Sequence, residues 1–170
     1  MSDQSMHALI DRFQNSHCIG AILGPHGTGK STLLEDIQLK LNNLGYVTRH
    51  RRIHEGISRQ EKRALFADIL NGDDSVFFLD GGENLGLVSW FWLVYQVRMK
   101  GSRLLATTHK ISLLPTLHKT EINKSLMLEL TRLLADEHWD TCLEKLALDT
   151  YQRYRGNMRE VFRACYIALI

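Results

Sequence analysis

Cysteine, net charge and long hydrophobic runs are all scarce in this chain. The three cysteines, Cys18, Cys142 and Cys165, form no C-x-x-C pair, and each reads as sitting in an apolar context. Core packing accounts for them, and their odd number argues against a disulfide framework and for a reducing compartment. Net charge is only +2, too small to point to nucleic acid by itself. The longest greasy stretch, Leu87 to Val97, falls short of the ~20 residues that span a bilayer. The start, MSDQSMHALIDRFQ, places acids early and holds no long apolar run, so no signal peptide is expected. No internal repeat or low-complexity tract stands out. By elimination, a cytoplasmic protein without membrane insertion is expected.

What is present is an ordinary globular composition over 170 residues, 44% hydrophobic and 24% charged. A chain of this length buries about 70% of its unfolded surface, enough for a core without staples. CIGAIL (Cys18 to Leu23) reads as a buried strand ending at glycines. Leu33, Leu34, Ile37, Leu41 and Leu44 recur at helical spacing, and Gly45 stops that helix. Tyr46 to Ile53 predicts a strand. Ser58-Arg59-Gln60-Glu61 has capping-box spacing and opens a helix ending near Asn71-Gly72. Val76 to Leu79 predicts a strand, Leu85 to Lys100 a helix ended by Gly101, and Arg103 to Thr108 another strand. LMLEL (Leu126 to Leu130) predicts a fifth strand, and Asp136 to Tyr154 one long helix. Gly156 breaks it, and Asn157 caps a last helix. Strands alternating with helices predict an α/β fold: a parallel five-stranded sheet with helices on both faces and a short C-terminal helical extension. The expected division is a core over 1–132 and a helical segment over 133–170, packed together as one domain. In such sheets ligands bind beyond the carboxyl ends of the strands.

GPHGTGKS, residues 24 to 31, follows the first strand and matches G-x-x-x-x-G-K-[ST] in full. Gly24, Gly27 and Gly29 let the backbone curl into a ring of inward N–H donors, with Pro25, His26 and Thr28 between them. The helix that follows, entered at Lys30, Ser31 and Thr32, aims its positive end at the same place. Lys30 adds a mobile charge for β and γ phosphates, and Ser31 a hydroxyl for Mg²⁺. The bland alternative is a glycine-rich turn with an exposed lysine. His26 is either solvent-facing or a contact to the triphosphate. This segment is the Walker A motif, and the chain here resembles the P-loop NTPases.

FFLDGGE, residues 77 to 83, places two acids at the end of an apolar run. An apolar strand ending in aspartate resembles the Walker B element, which implies that Asp80 supports Mg²⁺. Glu83 resembles the glutamate that polarises water in the additional-strand branch, home to AAA+, STAND and ABC ATPases. A carboxylate there can orient water and accept its proton. Two glycines separate the acids, a departure from the commonest adjacent pair that is similar to a STAND-type D-G-x-[DE]. The plain alternative is an exposed glutamate opening a helix.

The same resemblance implies a polar residue at the end of the strand lying between Walker A and Walker B. RLLATT ends in Thr107, Thr108 and His109, and Thr108 or His109 fits that role. RGNMREV, residues 155 to 161, resembles the element opening a lid helix in AAA+ and STAND ATPases, which implies that Arg159 reaches the γ-phosphate. A capped helix start with a surface arginine explains the same letters.

TRHRRIH (48 to 54) raises nucleic acid as a partner. With no aromatic residues interleaved, a solvated strand edge is favoured. His50 and His54 lack an H-E-x-x-H frame, so no metal is expected there. LVSWFWLVYQVRMK is apolar nearly all round, which points to core or to a protein partner or self-association through the 87–99 helix. The expected cofactors are ATP and Mg²⁺; no N-K-x-D guanine signature or LSGGQ-like stretch is present. The expected function is Mg-dependent ATP hydrolysis coupled to conformational change or assembly. A small-molecule or nucleotide kinase and a non-hydrolysing nucleotide-gated adaptor are the alternatives.

Overall fold

The computed structural model describes residues 3–71, 73–109 and 112–170. Gly72 of the expected helix stop, and Lys110 and Ile111, lie outside the described residues. The chain divides into two compact units, one of residues 1–23 and 30–119, the other of 24–29 and 120–170.

The first unit is a five-stranded sheet with helices on both faces. Its strands are β1 (Ile19–Leu23), β2 (Thr48–Arg52), β3 (Val76–Asp80), β4 (Arg103–Thr108) and β5 (Thr116–Lys119). Their order is β2-β3-β4-β1-β5, and every neighbouring pair is parallel. β4 therefore stands between β1, which leads into the glycine loop, and β3, which ends at Asp80. Four helices cover the sheet: α1 (Asp3–Asn15), α2 (Lys30–Asn43), α3 (Arg59–Ile69) and α4 (Leu87–Lys100). Val76 and Phe78 pack with Ile22 and Leu105 against α1 and α2. Phe77 and Leu79 pack with Ala21, Leu104 and Ala106 against α3 and α4. Burial on both faces is why these strands read as continuous apolar runs rather than as alternating ones. Ser58 caps α3 with the expected box: its hydroxyl accepts from the Glu61 N–H, and the Glu61 carboxylate accepts from the Ser58 N–H. Gly101 closes α4 in the left-handed conformation.

The TRHRRIH stretch is the edge strand β2. There Arg49 pairs with Asp68 and Asp73, and Arg51 lies 3.9 Å from Asp68.

The second unit holds three helices, α5 (Lys124–Ala135), α6 (Thr141–Arg153) and α7 (Met158–Ala168), with the loop 24–29. Met127, Leu143, Ala147, Val161 and Cys165 form its core. LMLEL is thus helix, not strand. Met127, Thr131 and Ala135 are the buried positions of α5, a four-residue spacing that a short leucine run hides. The fifth strand is instead Thr116–Lys119. The expected long helix over 136–154 is also interrupted. A 3-10 turn occupies Asp136–His138, and Asp140 caps α6 by accepting from the Leu143 N–H at 2.7 Å. Cys142 is exposed rather than in the core. Among the described residues no helix is long and apolar enough to cross a membrane.

Candidate functional site

Parallel strands present all their carboxyl ends at one edge of the sheet. There the first unit gathers Lys30 and Ser31 from the start of α2, Arg52 from β2, Asp80 from β3, and Thr107 and Thr108 from β4. Glu83 follows β3 and His109 follows β4.

Asp80 is the hub. It is 6% exposed and ends a strand buried throughout. Its Oδ1 accepts from the Thr107 hydroxyl at 2.7 Å and the Ser31 hydroxyl at 3.1 Å. Its Oδ2 accepts from Arg52 Nε at 2.8 Å. Burial pushes the carboxyl's pKa up, but the hydrogen bonds from Thr107, Arg52 and Ser31, with the Arg52 charge, outweigh it and leave the pKa below the ordinary value. Thr107 is fully engaged, since its oxygen also accepts the Gly81 N–H at 2.9 Å.

The two glycines between the acids have a steric cause. Gly81 has φ 87°, and a Cβ there would lie 2.7 Å from the Ile53 carbonyl oxygen. A Cβ on Gly82 would press on the Trp90 ring at 3.0 Å. The backbone then makes a 3-10 turn over Gly82–Leu85 that carries Glu83. Glu83 Oε1 lies 2.6 Å from His109 Nε2, and His109 Nδ1 lies 3.1 Å from Lys30 Nζ. A ring with its proton on Nε2 satisfies both contacts: it donates to Glu83 and accepts from the ammonium. Lys30 is 7% exposed. Burial lowers its pKa, partly offset by the charges of Glu83 and Asp80. Thr108 Oγ1 is buried and has no hydrogen-bond partner among the described residues.

The glycine loop belongs to the second unit. Pro25, His26 and Gly29 are exposed, Gly27 is half-buried, and Gly24 and Thr28 are buried. The Thr28 hydroxyl reaches the Pro25 carbonyl at 2.9 Å and the Thr120 hydroxyl at 2.6 Å. Gly27 has φ 72° and sits against the start of α7. A Cβ there would collide with Asn157 Oδ1 and lie 3.0 Å and 3.1 Å from the backbone nitrogens of Met158 and Arg159. Asn157 caps α7 by accepting from the Arg159 N–H at 3.1 Å. The Arg159 side chain is exposed, as is Thr32 on α2.

The structure therefore brings Lys30, Ser31, Asp80, Glu83 and His109 together in one unit, and the loop with residues 157–159 in the other. Sequence reasoning missed Arg52 and Thr107. The Arg52–Asp80 pairing follows from the β2–β3 register, which no local pattern encodes. Thr107 differs from Thr108 only in facing, which a strand's two-residue alternation would settle once β3 was placed beside it.

Ser31 and Asp80 offer hard oxygen donors, the kind Mg²⁺ takes when phosphates and waters supply the rest of its shell. Among the described residues no cluster of three His, Cys, Asp or Glu side chains is placed to hold a metal.

No protein-family model and no curated protein sequence matches the chain. Solved structures share its fold, two of them over most of this chain. One is a DNA replication initiation factor, at 13% identity and a TM-score of 0.57, matched over 91% of this chain and 56% of that one. The other is AMPPCP-bound DnaA from Aquifex aeolicus, at 12% identity and a TM-score of 0.56, over 91% and 57%. The chain spans little more than half the length of these structures. The likeness is one of fold: with the parallel five-stranded sheet flanked by helices, it makes this an α/β fold of the P-loop NTPase kind.

Proposed function

We propose that the chain binds Mg·ATP and hydrolyses it, coupling nucleotide state to a conformational change or to assembly. The observation that carries this reading is the convergence of Lys30, Ser31, Asp80, Glu83 and His109 at the carboxyl edge of the sheet. The AMPPCP bound to one structural neighbour supports a nucleotide ligand. The place of β4 favours the ATPase reading over the kinase one, because the resemblance ties a catalytic glutamate to the additional-strand branch.

In this reading the loop Gly24–Gly29 offers backbone N–H donors to the phosphates and Lys30 adds a desolvated positive charge. Ser31 and Asp80 would hold Mg²⁺, which when bound neutralises developing charge on the phosphates. Thr107 fixes the Asp80 carboxylate in place. Glu83 orients water and takes its proton, with His109 holding the carboxylate at 2.6 Å. The Thr108 hydroxyl, unpartnered among the described residues, is available to a γ-phosphate oxygen or to the attacking water. Arg159 senses the γ-phosphate.

Glu83→Gln tests the reading. Calorimetry should give the same Mg·ATP affinity as the wild type, and phosphate release should slow by ~10²–10⁴-fold. Unchanged turnover removes Glu83 from the chemistry. Wild-type binding without turnover selects the adaptor, and phosphate transfer to an added acceptor selects the kinase. No heat with either Mg·ATP or Mg·GTP ends the proposal.

A further inference from the structure

Helix α4 carries more apolar surface than its own unit covers. Trp90, Leu93, Val94 and Val97 are buried. Leu87, Val88, Phe91, Trp92, Tyr95 and Met99 stay between 46% and 86% exposed. Val88, Trp92, Tyr95 and Met99 follow one another at steps of four, three and four residues. That spacing is a two-heptad seam along one side of the helix, with Phe91 flanking it. The Trp92 ring is held against Phe66, with ring centroids 5.1 Å apart, so the ridge has a fixed centre.

Size makes the face informative. At ~150–250 Å² for a fully exposed large side chain, the six residues present on the order of 700 Å². The largest apolar patch on a typical monomer is ~300–600 Å², and each side of a standard interface contributes ~800 Å². The face carries no charge until Arg98 and Lys100 in the last turn, so it does not call for a partner of complementary charge.

We propose that this face is a two-fold interface between two copies of the chain, with α4 packed antiparallel against α4. A two-fold axis uses the same patch on both sides, and a seam of this spacing is its own complement. Parallel pairing would set the two basic last turns side by side. Antiparallel pairing separates them by ~20 Å, the length of a helix of this size, and opposes the two macrodipoles favourably. Centred on the seam, the axis sets Trp92 of one copy against Tyr95 of the other, and Val88 against Met99. The inference does not depend on nucleotide binding.

Sedimentation velocity across the micromolar range tests it. The wild type should sediment as a dimer. Val88→Glu alone and Met99→Lys alone should each give a monomer with an unchanged circular dichroism spectrum, because both side chains are exposed. Since Val88 meets Met99, Val88→Glu combined with Met99→Lys in one chain should restore the dimer. A wild type monomeric throughout the range overturns the proposal and leaves the face to a different protein or to a further segment of a longer chain. Single variants that remain dimers overturn it too. A double variant that stays monomeric overturns the antiparallel pairing.

Discussion

Replacing Thr107 by valine should weaken the fold, while the same replacement at the next residue should not. Thr107 and Thr108 are both buried at the end of β4, 1% and 2% exposed. The Thr107 hydroxyl donates to the Asp80 carboxylate and accepts the Gly81 N–H. A hydrogen bond to a charged group contributes ~1.5–3 kcal/mol, and stranding a buried donor costs ~1–3 kcal/mol. The two losses share one atom and do not simply add, so Thr107→Val should cost ~2–4 kcal/mol. With a urea dependence of ~1–3 kcal/mol per molar, the unfolding midpoint should fall by roughly 1–2 M. Thr107→Ser keeps the hydroxyl and should recover most of the loss. Thr108 Oγ1 has no partner among the described residues. Leaving a hydroxyl buried without one costs ~1–3 kcal/mol, so Thr108→Val should be neutral or stabilising by about 1 kcal/mol. If that hydroxyl serves the nucleotide, the same variant should bind Mg·ATP roughly five- to tenfold more weakly. Urea titrations followed by tryptophan fluorescence, with calorimetry for the ligand, measure both effects. Equal destabilisation by the two valines, or a Thr107→Val within ~0.5 kcal/mol of wild type, would refute the assignment of partners.

Gly81→Ala should destabilise by at least about 2 kcal/mol, from the left-handed backbone and the approach to the Ile53 carbonyl. Thermal unfolding measures it, and an unchanged midpoint would mean the turn is not as described. Asp80 has a depressed pKa. Its contribution is complete above the ordinary carboxylate range and is lost as pH falls through the lower folded value. The stability gap between wild type and Asp80→Asn should therefore narrow below about pH 4, as urea titrations at stepped pH would record; a constant gap would contradict the depressed value.

The parts of the fold that local rules write were legible beforehand. The Ser58 box, the Gly101 stop and the apolar runs of β1, β3 and β4 each state their conformation within a few residues. The failures are also physical. LMLEL fits both a two-residue and a helical period, and only packing of Met127 and Thr131 in the second unit's core decides it. Thr116–Lys119 is a short strand only partly buried, so no apolar run announces it. α1 did leave a signal, since Met6, Leu9, Ile10 and Phe13 recur at helical spacing and pack on the sheet. At the candidate site, the motif residues stood out because chemistry restricts them. The two-glycine spacer resisted explanation because its cause, the Ile53 carbonyl and the Trp90 ring, comes from elsewhere in the chain. Arg52 stayed hidden for the same reason.

The margin of the sheet formed by β2 has a further consequence. Its outer ladder of N–H and C=O groups is a template on which a strand from another molecule can grow. Arg49 and Arg52 on that rim are tied to carboxylates, but the Arg51 side chain is 66% exposed, so a second molecule offering the same rim would meet its own positive charge there. Stacking of sheets into fibres is penalised on this side, and an Arg51→Val exchange would expose the protein to that hazard before it disturbed the interior.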